Sequence, residues 1–175
     1  MIRTLWLVGC GNMAGAMLRQ WIASDTILAK DVYVLNRHDA DLPSGIRQGR
    51  ALPEGPLPDA VLLGVKPQQL GGIAADWADP LAGVPVLISI LAGVEIETLA
   101  LRFRAGSIVR AMPNLPVGIG KGVVALQGNA ARNAAVEQLM APLGLVEWID
   151  DAALFDAVTA LAGSGPAFLD RKSVV

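Results

Sequence analysis

Leu5-Trp6-Leu7-Val8-Gly9-Cys10-Gly11-Asn12-Met13-Ala14-Gly15-Ala16 passes from a short apolar run, through a glycine turn, straight into apolar residues at helical spacing. Strand, tight turn and helix, with Gly-x-Gly-x-x-Ala in the turn, form a dinucleotide fingerprint. Gly9 permits a turn that a side chain would obstruct, and Gly11 lets backbone N–H groups approach a pyrophosphate. Ala14 is small enough for the helix to pack close against the strand, and the helix N-terminus adds partial positive charge. Glycines between two elements are often only a turn. Here a second apolar strand follows at residues 31–36, which gives this turn its βαβ context.

The residues after that second strand bear on the cofactor. An acid there would accept from a ribose 2′-hydroxyl, as NAD requires, whereas a cation suits the 2′-phosphate of NADP. The chain has Asn36-Arg37-His38. Asn36 can hydrogen-bond, and Arg37 can pair with phosphate as a planar fork. Asp39 either repels that phosphate or caps the next element. The pattern favours NADP, with NAD the alternative. His38, the only histidine, reads as a solvated loop residue or a stacking partner near the adenine.

With 175 residues there is room for one full domain and the start of another. Hydrophobic content of 53% against 17% charged residues allows a substantial core, and an apolar face for a partner. A net charge of −2 without a basic run argues against nucleic acid. The single cysteine, Cys10, excludes an internal disulfide and fits a reducing compartment. Cys10 itself reads as filler at the variable position of the turn. Arg3 followed by Leu-Trp-Leu-Val-Gly-Cys imitates a lipoprotein signal, but the run is shorter than the ~7–15 apolar residues such signals use. Cleavage at Cys10 would also destroy the turn. No run approaches the ~18 apolar residues that span a bilayer, and the cytoplasm is the expected setting.

A helix is expected over residues 12–23. Residues 41–58, rich in proline and glycine, leave room only for a short strand near 50–52. Residues 59–65 form a continuous apolar run, as a strand buried on both faces should, ending in Lys66-Pro67. A proline-initiated helix follows at 68–77, a buried strand at 84–91 and a short helix at 95–103. Residues 107–111 make a strand leading into Met112-Pro113-Asn114-Leu115-Pro116. Strands at 122–126 and 145–149 flank a helix at 130–140, and Asp150-Asp151 caps a last helix to 162. This alternation predicts an α/β fold with a doubly wound, mostly parallel sheet of Rossmann type. Residues 1–150 are expected to form the nucleotide-binding domain, and 151–175 to begin a second, helical one. Ligands bind outside the carboxyl ends of such strands. Four ends carry distinctive residues: Gly9 to Gly11, Asn36-Arg37, Val65 to Pro67 and Met112 to Asn114. All four should face one crevice. Singly each is bland: Lys66 a solvated cap, Pro113 and Pro116 loop stiffeners, Asn114 a turn residue.

Taken in order, Gly9 to Met13, Asn36-Arg37, Val65-Lys66-Pro67-Gln68, Ser89 to Gly93, Arg110 to Pro116 and Gly163-Ser164-Gly165-Pro166-Ala167 resemble the pyrroline-5-carboxylate reductase family. The resemblance covers nearly the whole chain to Phe168. It implies NAD(P)H-dependent reduction of the imine of 1-pyrroline-5-carboxylate to L-proline. It also implies that Val8, Gly9, Cys10, Gly11, Asn12 and Met13 hold the pyrophosphate, and Asn36 and Arg37 the adenosine ribose phosphate. Gly64, Val65, Lys66 and Pro67 with Ile90, Leu91 and Ala92 would line the ribose and nicotinamide. Met112, Pro113, Asn114, Ser164 and Gly165 would border the substrate.

A cyclic iminium is already electrophilic, so the reaction depends chiefly on holding nicotinamide and imine carbon together. No nucleophile, triad or metal is needed, no catalytic residue is assigned, and the proton would come from solvent or a hydroxyl. Leu115 stands where the family usually has threonine, and residues 39–58 carry prolines where it has more helix. After Phe168 the family continues into long apolar helices that form its homo-oligomer and complete the carboxylate site. Here the chain reads Leu-Asp-Arg-Lys-Ser-Val-Val. The expectation is a chain truncated before those helices, binding NADP with little turnover, and exposing part of the Leu154, Phe155, Val158 and Leu161 face. Two other readings stand beside it. One is a non-catalytic NADP-binding module. The other is a 3-hydroxyacid dehydrogenase-like reductase, which would not carry Met-Pro-Asn followed by Gly-Ser-Gly-Pro.

Overall fold

Apolar runs without polar alternation need cover on both faces. Leu5–Val8 (β1), Val32–Leu35 (β2), Ala60–Leu63 (β4) and Val86–Ser89 (β5) are buried at every position in the computed structural model, which describes residues 1–170, with side chains to residue 162. With Arg47–Gly49 (β3), Ser107–Pro113 (β6), Gly122–Gly128 (β7) and Gly144–Trp148 (β8) they make one sheet, ordered β3-β2-β1-β4-β5-β6-β7-β8. Strands β1 to β6 are parallel, β7 runs against β6, and β8 is parallel to β7.

Helices cover both faces. On one, Asn12–Ala23 (α1) and Ala134–Met140 (α4) bury Met17, Leu18, Trp21, Leu139 and Met140 against Leu5, Leu7, Leu62 and Ile88. On the other, Leu70–Trp77 (α2) and Ile96–Ala100 (α3) bury Leu70, Ile73 and Leu99 against Trp6, Val61, Leu63 and Leu87. Each such side chain contributes roughly 1.5–3 kcal/mol on leaving water. Ala152–Asp170 (α5) extends this second layer, seating Phe155 on Met112 and Ala125. Among the described residues no helix is long and apolar enough to cross a membrane.

The doubly wound, mostly parallel sheet matches the expectation, with local corrections. The edge strand lies at Arg47–Gly49, not 50–52, because β2 dictates its register from Tyr33↔Arg47 to Leu35↔Gly49. Helix α4 starts at Ala134, not 130, where the Asn133 side chain accepts N–H groups of Ala135 and Val136. Residues 68–77 open with a 3₁₀ turn, Pro67–Gln69, before α2 begins. Strands β6 and β7 outrun their expected ends because pairing runs from Val109↔Gly128 to Pro113↔Val124. In α5, Phe155 is fully buried and Val158 half-buried, while Leu154 and Leu161 are exposed.

Candidate cofactor site

At the carboxyl end of β1 the chain turns through Gly9 at φ +85°, a conformation L side chains rarely adopt. Its N–H donates to the Leu35 carbonyl at 2.8 Å. The turn is tight against β4. A Cβ on Gly64 would lie 2.6 Å from the Gly9 carbonyl oxygen and 2.9 Å from Ala14 Cβ. Three small residues thus let the start of α1 pack directly on the strand ends. Gly11 differs, because an added Cβ would meet nothing within 4 Å and would project into open space. Helix α1 begins there with no side-chain cap and no acid in its first turn, so its leading N–H groups face outward without a side-chain acceptor.

A cavity of about 640 Å³ opens over this turn. Val8, Gly9, Cys10, Gly11, Asn36, Arg37, Gly64, Val65 and Lys66, all singled out from the sequence, line it. Asn36 holds two of its walls together: its side-chain oxygen accepts the Cys10 N–H at 2.9 Å, while its own N–H donates to the Gly49 carbonyl at 2.9 Å. The Cys10 amide is therefore committed to the protein, which leaves phosphate contact to the amides beyond it. Burial pushes the Cys10 thiol above its ordinary pKa, partly offset by the Arg19 charge.

Other candidates sit elsewhere. Asn12 and Met13 open α1, and Pro67 begins the 3₁₀ turn, all outside the cavity wall. Ile90, Leu91 and Ala92 follow β5 on the same sheet edge but do not line the cavity, and Leu91 is buried in the α2–α3 layer. Met112 and Pro113 are buried at the end of β6, and the Asn114 side chain accepts the Val123 N–H at 2.9 Å. The expectation that four strand ends share one crevice is thus corrected: three do, and β5 separates them from the fourth. Ser164 and Gly165 lie beyond the residues whose side chains are described.

Sequence reasoning missed Leu35, Ala40, Arg50, Gln69, Ile73, Asp76 and Trp77, which also line the cavity, and left His38 open. Gln69, Ile73, Asp76 and Trp77 follow one another at helical spacing, a signal that was available. Arg50 carried no local signal, since its place depends on the register of β3.

A second polar arrangement lies under α5. Arg110 is 3% exposed on β6, donates to Gln127 at 3.0 Å and to Asp156 at 3.2 Å, and stacks over the Phe155 ring at 4.4 Å. Its Nε has no hydrogen-bond partner among the described residues. The guanidinium fastens the first turns of α5 to the sheet.

Residues 4–93, just over half of the chain, match the family described as NADP oxidoreductase coenzyme F420-dependent. A pyrroline-5-carboxylate reductase of Synechocystis is 34% identical over 175 residues, covering 94% of this chain and 65% of that protein. The chain therefore spans just under two thirds of that relative's length. The structure of a pyrroline-5-carboxylate reductase from Coxiella burnetii is similar with a TM-score of 0.81 at 27% identity, covering 97% of this chain and 67% of that one. The pyrroline carboxylate reductase of Plasmodium falciparum, solved with NADP bound, shares the fold with a TM-score of 0.81 at 22% identity, covering 95% and 64%.

Proposed function

The chain belongs to the NADP oxidoreductase, coenzyme F420-dependent family, and on that footing we propose that it is the nucleotide-binding part of a pyrroline-5-carboxylate reductase. The observation that carries this is the cavity itself, lined by an uncapped helix N-terminus and by Arg37. The donor set fits a phosphorylated nicotinamide dinucleotide. Gly11 offers open space to a pyrophosphate above α1, where helix polarity favours anions. Arg37 and Asn36 stand where the adenosine ribose and its 2′-phosphate would lie, which favours NADP over NAD. Gly64, Val65 and Lys66 continue the wall toward the nicotinamide end.

When bound, NADPH supplies the hydride that reduces the C=N carbon of 1-pyrroline-5-carboxylate, giving L-proline. The chain's part is to hold and orient. The strand ends fix the nucleotide against a rigid sheet, which lowers the entropic cost of bringing donor and imine together. Met112, Pro113 and Asn114, with Ser164 and Gly165, are proposed to border the substrate. Residues 1–150 are proposed as the nucleotide-binding domain, with α5 belonging to a helical part through which the reductase forms a homo-oligomer. A cytoplasmic setting belongs to the same reading.

Titration of the purified chain with NADPH and NADH, combined with a mass measurement in solution, tests this. NADPH is expected to bind more tightly than NADH. Absence of nucleotide binding overturns the assignment. Binding without any turnover, even in a preparation carrying the whole reductase, would favour a non-catalytic NADP-binding module. Turnover of a 3-hydroxyacid instead of the imine would favour that dehydrogenase class.

A further inference from the structure

Arg50 lines the same cavity as Arg37. Arg50 follows β3 immediately, and both carbonyls that flank it are anchored to β2. The Gly49 carbonyl accepts the Asn36 N–H at 2.9 Å, and the Ala51 carbonyl accepts the Tyr33 hydroxyl at 2.7 Å. Its own Nε donates to the Arg37 carbonyl at 3.1 Å. The stem is thereby fixed beside Arg37, and the residue lines the cavity. One of its Nη atoms reaches Asp39 at only 4.0 Å, with both side chains largely exposed. An exposed pair at that distance is weak and easily exchanged for a better anion.

We propose that Arg37 and Arg50 form a two-armed clamp for the 2′-phosphate of the dinucleotide, and that Asp39 is the counter-ion which that phosphate displaces from Arg50. This rests on the cofactor reading above and adds the residue that sets the preference for the phosphorylated form. The chemistry is that of a dianion between two planar forks, each able to donate two parallel hydrogen bonds. Gln48 steadies the loop between them, since its amide both donates to the Ala40 carbonyl at 3.1 Å and accepts the Ala40 N–H at 2.9 Å. The loop carrying Asp39 is thus held at both faces of Ala40, while the Asp39 side chain stays exposed.

The test compares dissociation constants for NADPH, NADH, adenosine 2′,5′-bisphosphate and AMP in the native chain, Arg50→Ala and Asp39→Asn, with thermal melts to verify folding. Arg50→Ala is expected to weaken NADPH and the bisphosphate about tenfold while changing NADH and AMP less than twofold. Asp39→Asn is expected to strengthen NADPH two- to threefold, with NADH unchanged. Equal losses for phosphorylated and unphosphorylated ligands, or no loss in Arg50→Ala, overturn the clamp while leaving the cofactor assignment standing. Failure of the native chain to bind any of the four overturns both.

Discussion

The side-chain oxygen of Asn36 accepts the Cys10 N–H at 2.9 Å, so the residue that ends one strand braces the glycine turn that ends its neighbour. This bond makes the shape of the pyrophosphate site depend on the adenosine side of the cavity. A residue read as a ribose contact is first a structural brace, and its Nδ2 group remains to donate to a ligand.

Asn36→Asp keeps the acceptor for Cys10 and adds a negative charge beside Arg37. NADPH affinity should fall about tenfold, with NADH affinity held or improved. Asn36→Ala strands the Cys10 N–H, at a cost of about 1–3 kcal/mol. Parallel fluorescence titrations and urea unfolding separate the two effects. Equal losses for both nucleotides in the aspartate variant would count against the proposed placement of the ribose.

Gly64→Ala forces a methyl to within 2.6 Å of the Gly9 carbonyl oxygen and 2.9 Å of Ala14 Cβ. Neither neighbour is the free end of a flexible side chain. The variant should lose roughly 1–3 kcal/mol of stability by overpacking and lose nucleotide binding with it. Differential scanning calorimetry with and without NADPH reads both. Gly11→Ala, where the added carbon meets no protein atom, should leave stability nearly unchanged and weaken binding alone.

Arg110→Ala removes the group that holds Gln127, Asp156 and the Phe155 ring together. A loss of about 2 kcal/mol is expected, together with faster hydrogen exchange through the first turns of α5. Asp156→Asn should cost less than about 1 kcal/mol, because that carboxylate is 57% exposed. Exchange confined to α5, with β1 and α1 still protected, is the pattern that checks the assignment.

Asp59 contributes to the acid limb of stability. Burial pushes its carboxyl up, but the N–H donors of Arg3 and Thr4, the Thr4 hydroxyl and the Arg3 charge outweigh that and bring it below its ordinary range. A carboxyl lowered by folding stabilises the native state fully above its unfolded pKa of about 4. That contribution is lost as pH falls from there through the folded value. Asp59→Asn should therefore flatten the stability profile below about pH 4, read by urea midpoints across that range. An unchanged slope would mean that the Arg3 and Thr4 amides do not favour the charged form.

How much of this was legible in the sequence follows from how local each signal is. The turn from Gly9 to Ala14 is a six-residue matter, and its spacing alone placed strand, turn and helix correctly. The buried strands were legible too, because unbroken apolar runs leave a chain few alternatives. Arg50 was not, because a three-residue shift in the register of an edge strand moves it from the strand's first position to the cavity wall, and only pairing with Tyr33, Val34 and Leu35 fixes that register. Helix α4 is shorter than its apolar periodicity suggests because Asn133 sets where it starts. The reversal of β7 could have been read. Residues 114–121 hold only a five-residue 3₁₀ turn, Leu115–Ile119, and a parallel connection needs a crossover of a dozen residues or more.

That reversal has a consequence for everything encoded after it. Because β7 runs against β6, β8 finishes on the rim remote from the nucleotide cavity. Helix α5 is the return leg: Asp156 docks by Arg110 near the middle of β6, and Val158 and Ala162 pack with Met112 further along. One strand set against β6 thus aims the outgoing chain back at the rim where hydride chemistry would take place, and Arg110 is the pivot that holds that heading.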